Sequence, residues 1–359
     1  MYFFKSIFSS LSTSRQARKL LYVPFSLMVL ACTALNAQVP FDMSKIPAPL
    51  FRCPIYDGAA DPAVQWNSET NEWWLFYTQR RANVPSSPGV AYCYGTAIGI
   101  AVSDNNGESW YYRGTANLPQ LDEGHNSFWA PDVFKDKDTY YMVVTYIKGI
   151  HSDWGGVRNM LYYRSKDLMN WEFVEKIENT RNCIDGQVLK MKDGTWKMWY
   201  KNEPAGSETY SAISKDLKTW KTTNMSEIKT EKGHEGPIVF EWKGKYWNII
   251  DECTDMYSGL YCYESADGTH WTYNSTLLDT PGLRKDDFDQ GRHCDVVVIE
   301  DRAFMFYFTH PGRTYKADGN EDTSNTDNIE YRRSSIQMVE LEYKDGKIVC
   351  DRNKYFKKK

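Results

Sequence analysis

Five acidic residues of this 359-residue chain share a setting in which carboxyl groups can do chemistry. Asp61 in ADPAVQW, Asp132 in APDVFKD, Asp185 in IDGQVLK, Glu235 in HEGPIVF and Asp295 in HCDVVVI each stand at or near the head of an apolar segment. A carboxylate at the start of a buried strand either caps a turn or faces a cavity. Where several such heads converge, mutual repulsion and loss of water raise some of their pKa values. A carboxyl that keeps its proton near neutrality is a general acid, and a carboxylate beside it is a base. The five acids are the first candidates for paired acid–base chemistry.

The segments around them show what must hold them in place. Each acid is followed by an aromatic-rich run: NEWWLFYTQ, DTYYMVVTYI, GTWKMWYKN, GKYWNIIDE and RAFMFYFTH. A third run follows, as in AIGIAVS, NMLYYRS and GLYCYES. Alternation, β-branched and aromatic enrichment, and Asp, Asn, Gly and Lys turns mark all of these as strands. Four units then carry a polar turn ending in Trp, Ser-Asp-Asn-Asn at 103–110 and Ser-x-Asp at 165–171, 214–220 and 265–271, before a short fourth strand. The repeat of roughly fifty residues predicts a radial repeat fold. Each unit reads as a four-stranded antiparallel sheet, and five units predict an all-β, five-bladed β-propeller with blades at about 53–115, 126–178, 182–225, 232–276 and 291–355. The last unit replaces the Trp turn by LEYKDGK. The first strand of each blade lines the central channel, so all five acids are expected at one mouth. Trp110, Trp171, Trp220 and Trp271 are expected to pack at blade edges.

The ordered set ADP, WAPDV, IDG and HEGPIVFEWKGKYW resembles the five-bladed propeller glycoside hydrolases of family 43 and its relatives, including family 117. The resemblance spans essentially everything after residue 37, and it implies a hydrolase of glycosidic bonds in an oligo- or polysaccharide. Carried over residue by residue, it implies Asp61 as general base, Asp185 as the residue that tunes and orients, and Glu235 as general acid. Blade 3 has Ile-Asp-Gly where family 43 often has Ile-Asp-Pro. His234 beside Glu235 is similar to family 117, which makes His234 an alternative acid, but the helical N-terminal extension of family 117 has no counterpart. Inverting hydrolysis holds the two carboxyls about 6.5–9.5 Å apart, with a water between one of them and the sugar. Blades 1 and 4 are nonadjacent in a five-fold ring, as such a gap requires. Asp185 is expected to keep Glu235 protonated by like-charge repulsion.

Around these residues the sequence offers sugar-binding groups. Trp129 and Trp154 are candidates for stacking on a sugar face. Arg80 and Arg81, with Arg292 and Arg313, could recognise a carboxylate or sulfate. Asp132, Asn202, Glu203, His234 and His293 complete the substrate-binding candidates. His293 resembles the family 43 histidine near a central calcium, so a structural Ca2+ is the one ion expected. No cofactor is required, and the absence of CxxC or His-x-x-x-His spacing leaves no transition-metal site.

Other readings share these features. The Ser-x-Asp turns resemble the Asp boxes of sialidases, which have six blades and a nucleophilic tyrosine. A retaining glycosidase, a phosphorylase or a non-catalytic carbohydrate-binding propeller would use the same fold. A net charge of −4 with scattered basic residues excludes a nucleic-acid footprint. Residues 1–37 read as a secretory signal with its basic residues before LLYVPFSLMVLACTAL, cleaved after Ala37, so that the exported chain begins at Gln38 as one propeller over 38–359. Lipid attachment at Cys32 in VLAC is the alternative, and the apolar run is shorter than the roughly 20 residues of a spanning helix. The seven cysteines beyond the signal are an odd number, read mostly as buried thiols.

Overall fold

The computed structural model describes residues 38–356 apart from 86 and 255; the expected signal and Cys32 lie outside the described residues. Five four-stranded antiparallel sheets follow one another along the chain. Blade 1 is β1 (Ala59–Asn67), β2 (Glu72–Gln79), β3 (Ile98–Ser103) and β4 (Tyr111–Thr115). Blade 2 is β5 (Ser127–Asp136), β6 (Thr139–Ile147), β7 (Arg158–Ser165) and β8 (Trp171–Lys176). Blade 3 is β9 (Cys183–Lys190), β10 (Trp196–Asn202), β11 (Glu208–Ser214) and β12 (Lys221–Thr222). Blade 4 is β13 (His234–Trp242), β14 (Lys245–Glu252), β15 (Leu260–Ser265) and β16 (Thr272–Leu277). Blade 5 is β17 (Arg292–Ile299), β18 (Arg302–Thr309), β19 (Ser335–Lys344) and β20 (Lys347–Cys350). The five first strands touch in a ring, β1 to β5 to β9 to β13 to β17 and back to β1. This is the five-bladed propeller read from the repeats.

Apolar seams join the blades. Phe76 and Trp74 meet Phe128 and Leu161 between blades 1 and 2, and Tyr162 meets Trp196 and Met198 between blades 2 and 3. Between blades 3 and 4 lies a buried ion pair, Lys197 Nζ to Glu227 Oε1 at 2.8 Å, with the indole N–H groups of Trp199 and Trp271 donating to Glu227. The ring is closed by residues 38–53: Phe41 is fully buried on Trp73, Phe304 and Phe306, and the N–H groups of Leu50 and Phe51 donate to Ile336 O. Fully burying such a phenyl ring contributes about 1.5–3 kcal/mol.

The repeated Ser-x-Asp turns serve the strands. Ser165, Ser214 and Ser265 Oγ accept the N–H groups of Leu168, Leu217 and Gly268 at 2.9–3.0 Å, and Asp167, Asp216 and Asp267 each accept the next two backbone N–H groups. They join third to fourth strands, at the end of the propeller opposite the heads of the first strands.

One regularity decides which acids meet. Every first strand has a two-residue bulge at the same register against its second strand. The bulge residues are Asp61-Pro62, Ala130-Pro131, Asp185-Gly186, Gly236-Pro237 and His293-Cys294. A bulge re-aims the side chains around it. Asp61 and Asp185 hold the first bulge position, Glu235 precedes its bulge, and Asp132 and Asp295 follow theirs. The five acids are therefore not at equivalent positions, as their similar motifs had suggested.

Candidate active site

At the mouth, Asp61 takes φ +51°, a left-handed conformation that Asp tolerates better than most residues. Arg80, just past the end of β2, donates from Nη2 to both Asp61 carboxylate oxygens at 3.1 and 3.3 Å. Its Nη1 lies 3.4 Å from His310 Nε2, and its guanidinium covers Phe308 at 4.8 Å. Burial, with Arg313, Arg80 and Arg292 nearby, holds His310 well below the usual histidine range, so the ring is neutral. Its Nδ1 sits 2.8 Å from Arg333 O and must carry the proton, which leaves Nε2 to accept from Arg80. Arg80 is thus clamped from behind and presents Asp61 in one orientation.

Facing it is an acidic pair. Asp185, also left-handed at φ +57°, accepts the Gly236 N–H on Oδ2 at 3.0 Å. Burial pushes Asp185 up to about 6, the charge of Glu235 adds to this, and His293 and Lys201 oppose it. Glu235 keeps 42% of its side chain exposed, whereas Asp185 is buried, so Glu235 is the member that reaches a ligand. Burial alone would raise Glu235 as well. Lys201 Nζ donates to Oε2 at 3.0 Å and, with His293 and Arg80, brings Glu235 below the usual carboxylate range. Of the two, Asp185 is the carboxyl pushed towards its protonated form and Glu235 the one drawn towards its ionised form, the opposite order to that expected from like-charge repulsion alone. Arg80 acts on Glu235 and Asp61 acts on Asp185, so the two halves face one space.

A fourth acid belongs to this group. Asp251 lies directly opposite Glu235 in the β13–β14 register. It accepts the His293 N–H on Oδ2 at 3.3 Å, while its buried Oδ1 has no partner among the described residues. Burial pushes it up to about 7 in spite of Arg292. The His293 imidazole packs on Gly236, where a Cβ would stand 2.8 Å from Nδ1; with φ at +57° that position calls for glycine.

The remaining candidates fall elsewhere. Asp295 Oδ2 accepts the Val64 N–H at 2.6 Å, and Asp132 Oδ2 accepts the Val188 N–H at 2.9 Å. With Gln187 accepting from Val239 at 3.0 Å, they latch blade 5 to 1, 2 to 3 and 3 to 4 inside the channel and do not bind at the mouth. His234 has no exposed surface; it lies 2.7 Å from Thr209 Oγ1, and burial brings it down to about 4, so it is neither a substrate contact nor a general acid. Arg81 donates to Tyr94 O and Ala91 O of its own loop at 2.7 and 3.1 Å and shapes that loop instead of binding substrate. Arg292 and Arg313 both reach Glu321, at 3.4 and 3.1 Å, and Asp289 lies 3.6 Å from Arg292, so their charge is already matched. Asn202 sits half-buried at the mouth end of β10. Trp129, tied by Nε1 to Cys93 O at 2.6 Å, stands edge-on to Trp154, which is 58% exposed. Among the described residues no three His, Cys, Asp or Glu side chains are gathered as a metal site.

Lys201, Asp251 and His310 escaped the sequence reading. Each is at or next to the end of a second strand, where a charged or imidazole residue follows a run of buried aromatic and aliphatic residues: MWYKN, NIIDE, FYFTH. Arg80 follows the same rule in FYTQR.

Comparison with known proteins places this arrangement. Residues 63–188 match the model of the glycosyl hydrolases family 32 N-terminal domain. A thermostable family 43 glycoside hydrolase superposes with a TM-score of 0.59 at 18% identity, covering 84% of this chain and 96% of that one. The chain has the five-bladed propeller fold of these glycoside hydrolases, and over residues 63–188 it matches the family 32 domain. A family 43 enzyme from Xanthomonas citri complexed with xylose gives 0.58 at 14% identity over 85% of this chain and 93% of that one. An exo-1,5-α-L-arabinanase from a bovine ruminal metagenomic library gives 0.53 at 16%, over 88% and 100%. No curated protein sequence matches the chain significantly. Within this glycoside hydrolase fold, the five blades set the chain apart from the six-bladed sialidases that its Ser-x-Asp turns resemble.

Proposed function

We propose that the protein is an exported, inverting glycoside hydrolase in which Asp61 activates water and Glu235 protonates the leaving oxygen. The observation that carries this reading is the division of labour across one space. Asp61 is held by Arg80 on blade 1, while on blades 4 and 3 Glu235 is paired with Lys201 and Asp185 accepts the N–H of Gly236, the residue after Glu235. Asp61 accepts a proton from water, whose oxygen attacks the anomeric carbon. Glu235 delivers its proton as the C–O bond breaks, and Asp185, which accepts the N–H of the next residue, Gly236, is the neighbouring carboxyl proposed to supply it. Arg292 and Arg313 are matched by Glu321 and Asp289, which favours an uncharged sugar. The neighbours named for xylose and arabinan make xylo- and arabino-oligosaccharides the first substrates to try.

The test is the anomeric configuration of the first product, followed by NMR in the opening minutes of hydrolysis. Inversion is expected; retention would make Asp61 a nucleophile. Export with residues 1–37 intact and an N-terminus at Gln38 is the compartment expected, read by intact mass, and a lipid adduct at Cys32 would give the alternative. A propeller that only binds carbohydrate would keep its affinity and show no turnover to lose in Asp61→Asn.

A further inference from the structure

The rim of the mouth is uneven, and its shape bears on which bond of a chain can reach the acids. The connections from second to third strand stand on this face. Those of blades 1, 2 and 5 are long, residues 80–97, 148–157 and 310–334, whereas those of blades 3 and 4 are short, residues 203–207 and 253–259.

The long connections are fastened to one another. Arg332 on the blade 5 insertion donates to Ser87 O at 2.8 Å and lies over the Tyr92 ring, both on the blade 1 insertion. That insertion is tied onward to blade 2, where the Val90 N–H donates to Ser152 O at 3.1 Å and Tyr94 Oη to Gly155 O at 2.9 Å. The far end of the blade 5 insertion pairs with blade 4 through the Met256–Asn320 bridge. Blades 5, 1 and 2 thus form one continuous high wall behind Asp61 and Arg80. The low side runs over blades 3 and 4, beside Lys201 and Glu235.

From this we infer that the enzyme is exo-acting: one non-reducing terminal sugar seats against the wall of blades 5, 1 and 2, and the rest of the chain leaves over the low rim of blades 3 and 4. This rests on the hydrolase reading above. The general acid must lie next to the leaving oxygen, so the aglycone side is the Glu235 side. The sugar that is attacked then has the wall behind it, with no second gap through which a preceding sugar could run. A groove open at both ends, as internal cleavage needs, would require a break between the insertions of blades 5, 1 and 2, where the contacts are made.

The experiment uses the full chain on a panel of xylo-, arabino-, galacto-, fructo- and agaro-tetrasaccharides labelled at the reducing end with a fluorescent amine, each also with its non-reducing terminal sugar O-methylated. The expected result is a labelled ladder that shortens one sugar at a time, with turnover of the end-blocked partner reduced on the order of 100-fold or more, as for a substrate whose seat is blocked by a clash. Labelled products of intermediate length appearing first, or equal turnover of the blocked partner, would overturn the exo assignment and leave the hydrolase reading standing. No hydrolysis across the whole panel would overturn the hydrolase reading and this inference with it.

Discussion

Lys201 Nζ lies 3.0 Å from Glu235 Oε2, and this contact decides where the site keeps its proton. Without it, burial would favour protonation of Glu235 as it does of Asp185. With it, Glu235 is held below its usual range while Asp185 stands near 6. Neighbouring carboxyls whose charges interact titrate together, and the upper step of this pair is expected near the Asp185 value of about 6.

This gives Lys201→Met and Asp185→Asn opposite effects on the basic limb of the pH–rate profile. Removing the cation raises the proton affinity of Glu235, and the limb moves above about 6. Asparagine at 185 leaves Glu235, with its lowered pKa, as the only home for the proton, and the limb moves down. The kcat profile of each variant, measured on one aryl glycoside, checks the signs; shifts in the same direction would refute the coupled titration.

Asp61→Asn and Glu235→Gln separate base from acid. Loss of the base should lower kcat about 10²–10⁴-fold on every substrate, because water must always be deprotonated. Loss of the acid should cost a similar factor on natural glycans and far less on a nitrophenyl glycoside, whose leaving group departs without help. Comparing the two substrates in each variant is the measurement.

Arg80→Met tests whether Asp61 depends on its clamp. The substitution leaves Asp61 without its two guanidinium bonds and His310 without its donor. The expected result is a fall in kcat of about 10-fold or more with a smaller change in KM, as for a residue that orients the base. A rise in KM at unchanged kcat would make Arg80 a sugar ligand instead.

The blade 3–4 seam should be sensitive to charge. Lys197 and Glu227 are 5% and 1% exposed, so Lys197→Met leaves a buried carboxylate and should cost about 3–5 kcal/mol. Adding Glu227→Gln should recover much of that loss. Urea unfolding of the single and double variants reads both numbers.

Asp295 sets a pH dependence of stability. Burial pushes it up to about 6 from an ordinary 3.8, so the folded chain binds this proton more tightly than the unfolded chain does. Its stabilising effect is complete below the unfolded value and is lost as pH rises through about 6. Asp295→Asn removes the ionisation and keeps an acceptor for the Val64 N–H, though not for the Val296 N–H that Oδ1 accepts at 2.7 Å, a loss that does not vary with pH. Relative to the parent, its stability should improve between pH 4 and 7, by at most about 3 kcal/mol.

The sequence alone determined the architecture, because each blade repeats local instructions. An apolar-aromatic alternation makes a strand, a Ser-x-Asp turn with its own hydrogen bonds makes a hairpin, and five repeats close a ring. It also brought all five acids forward, since a polar residue heading a buried strand is visible in one dimension, and the family resemblance then singled out Asp61, Asp185 and Glu235. What the strand-head pattern by itself could not do was separate the five acids from one another. Asp132 and Asp295 are only two residues out of step with Asp185, but the common bulge turns that offset into a different depth, and they latch blades inside the channel. The tertiary structure alone also placed Lys201 against Glu235, Asp251 opposite it and His310 behind Arg80. Those pairs join strands whose register is set by packing, and a pKa follows from the charges and burial around a group, not from the residues beside it in sequence.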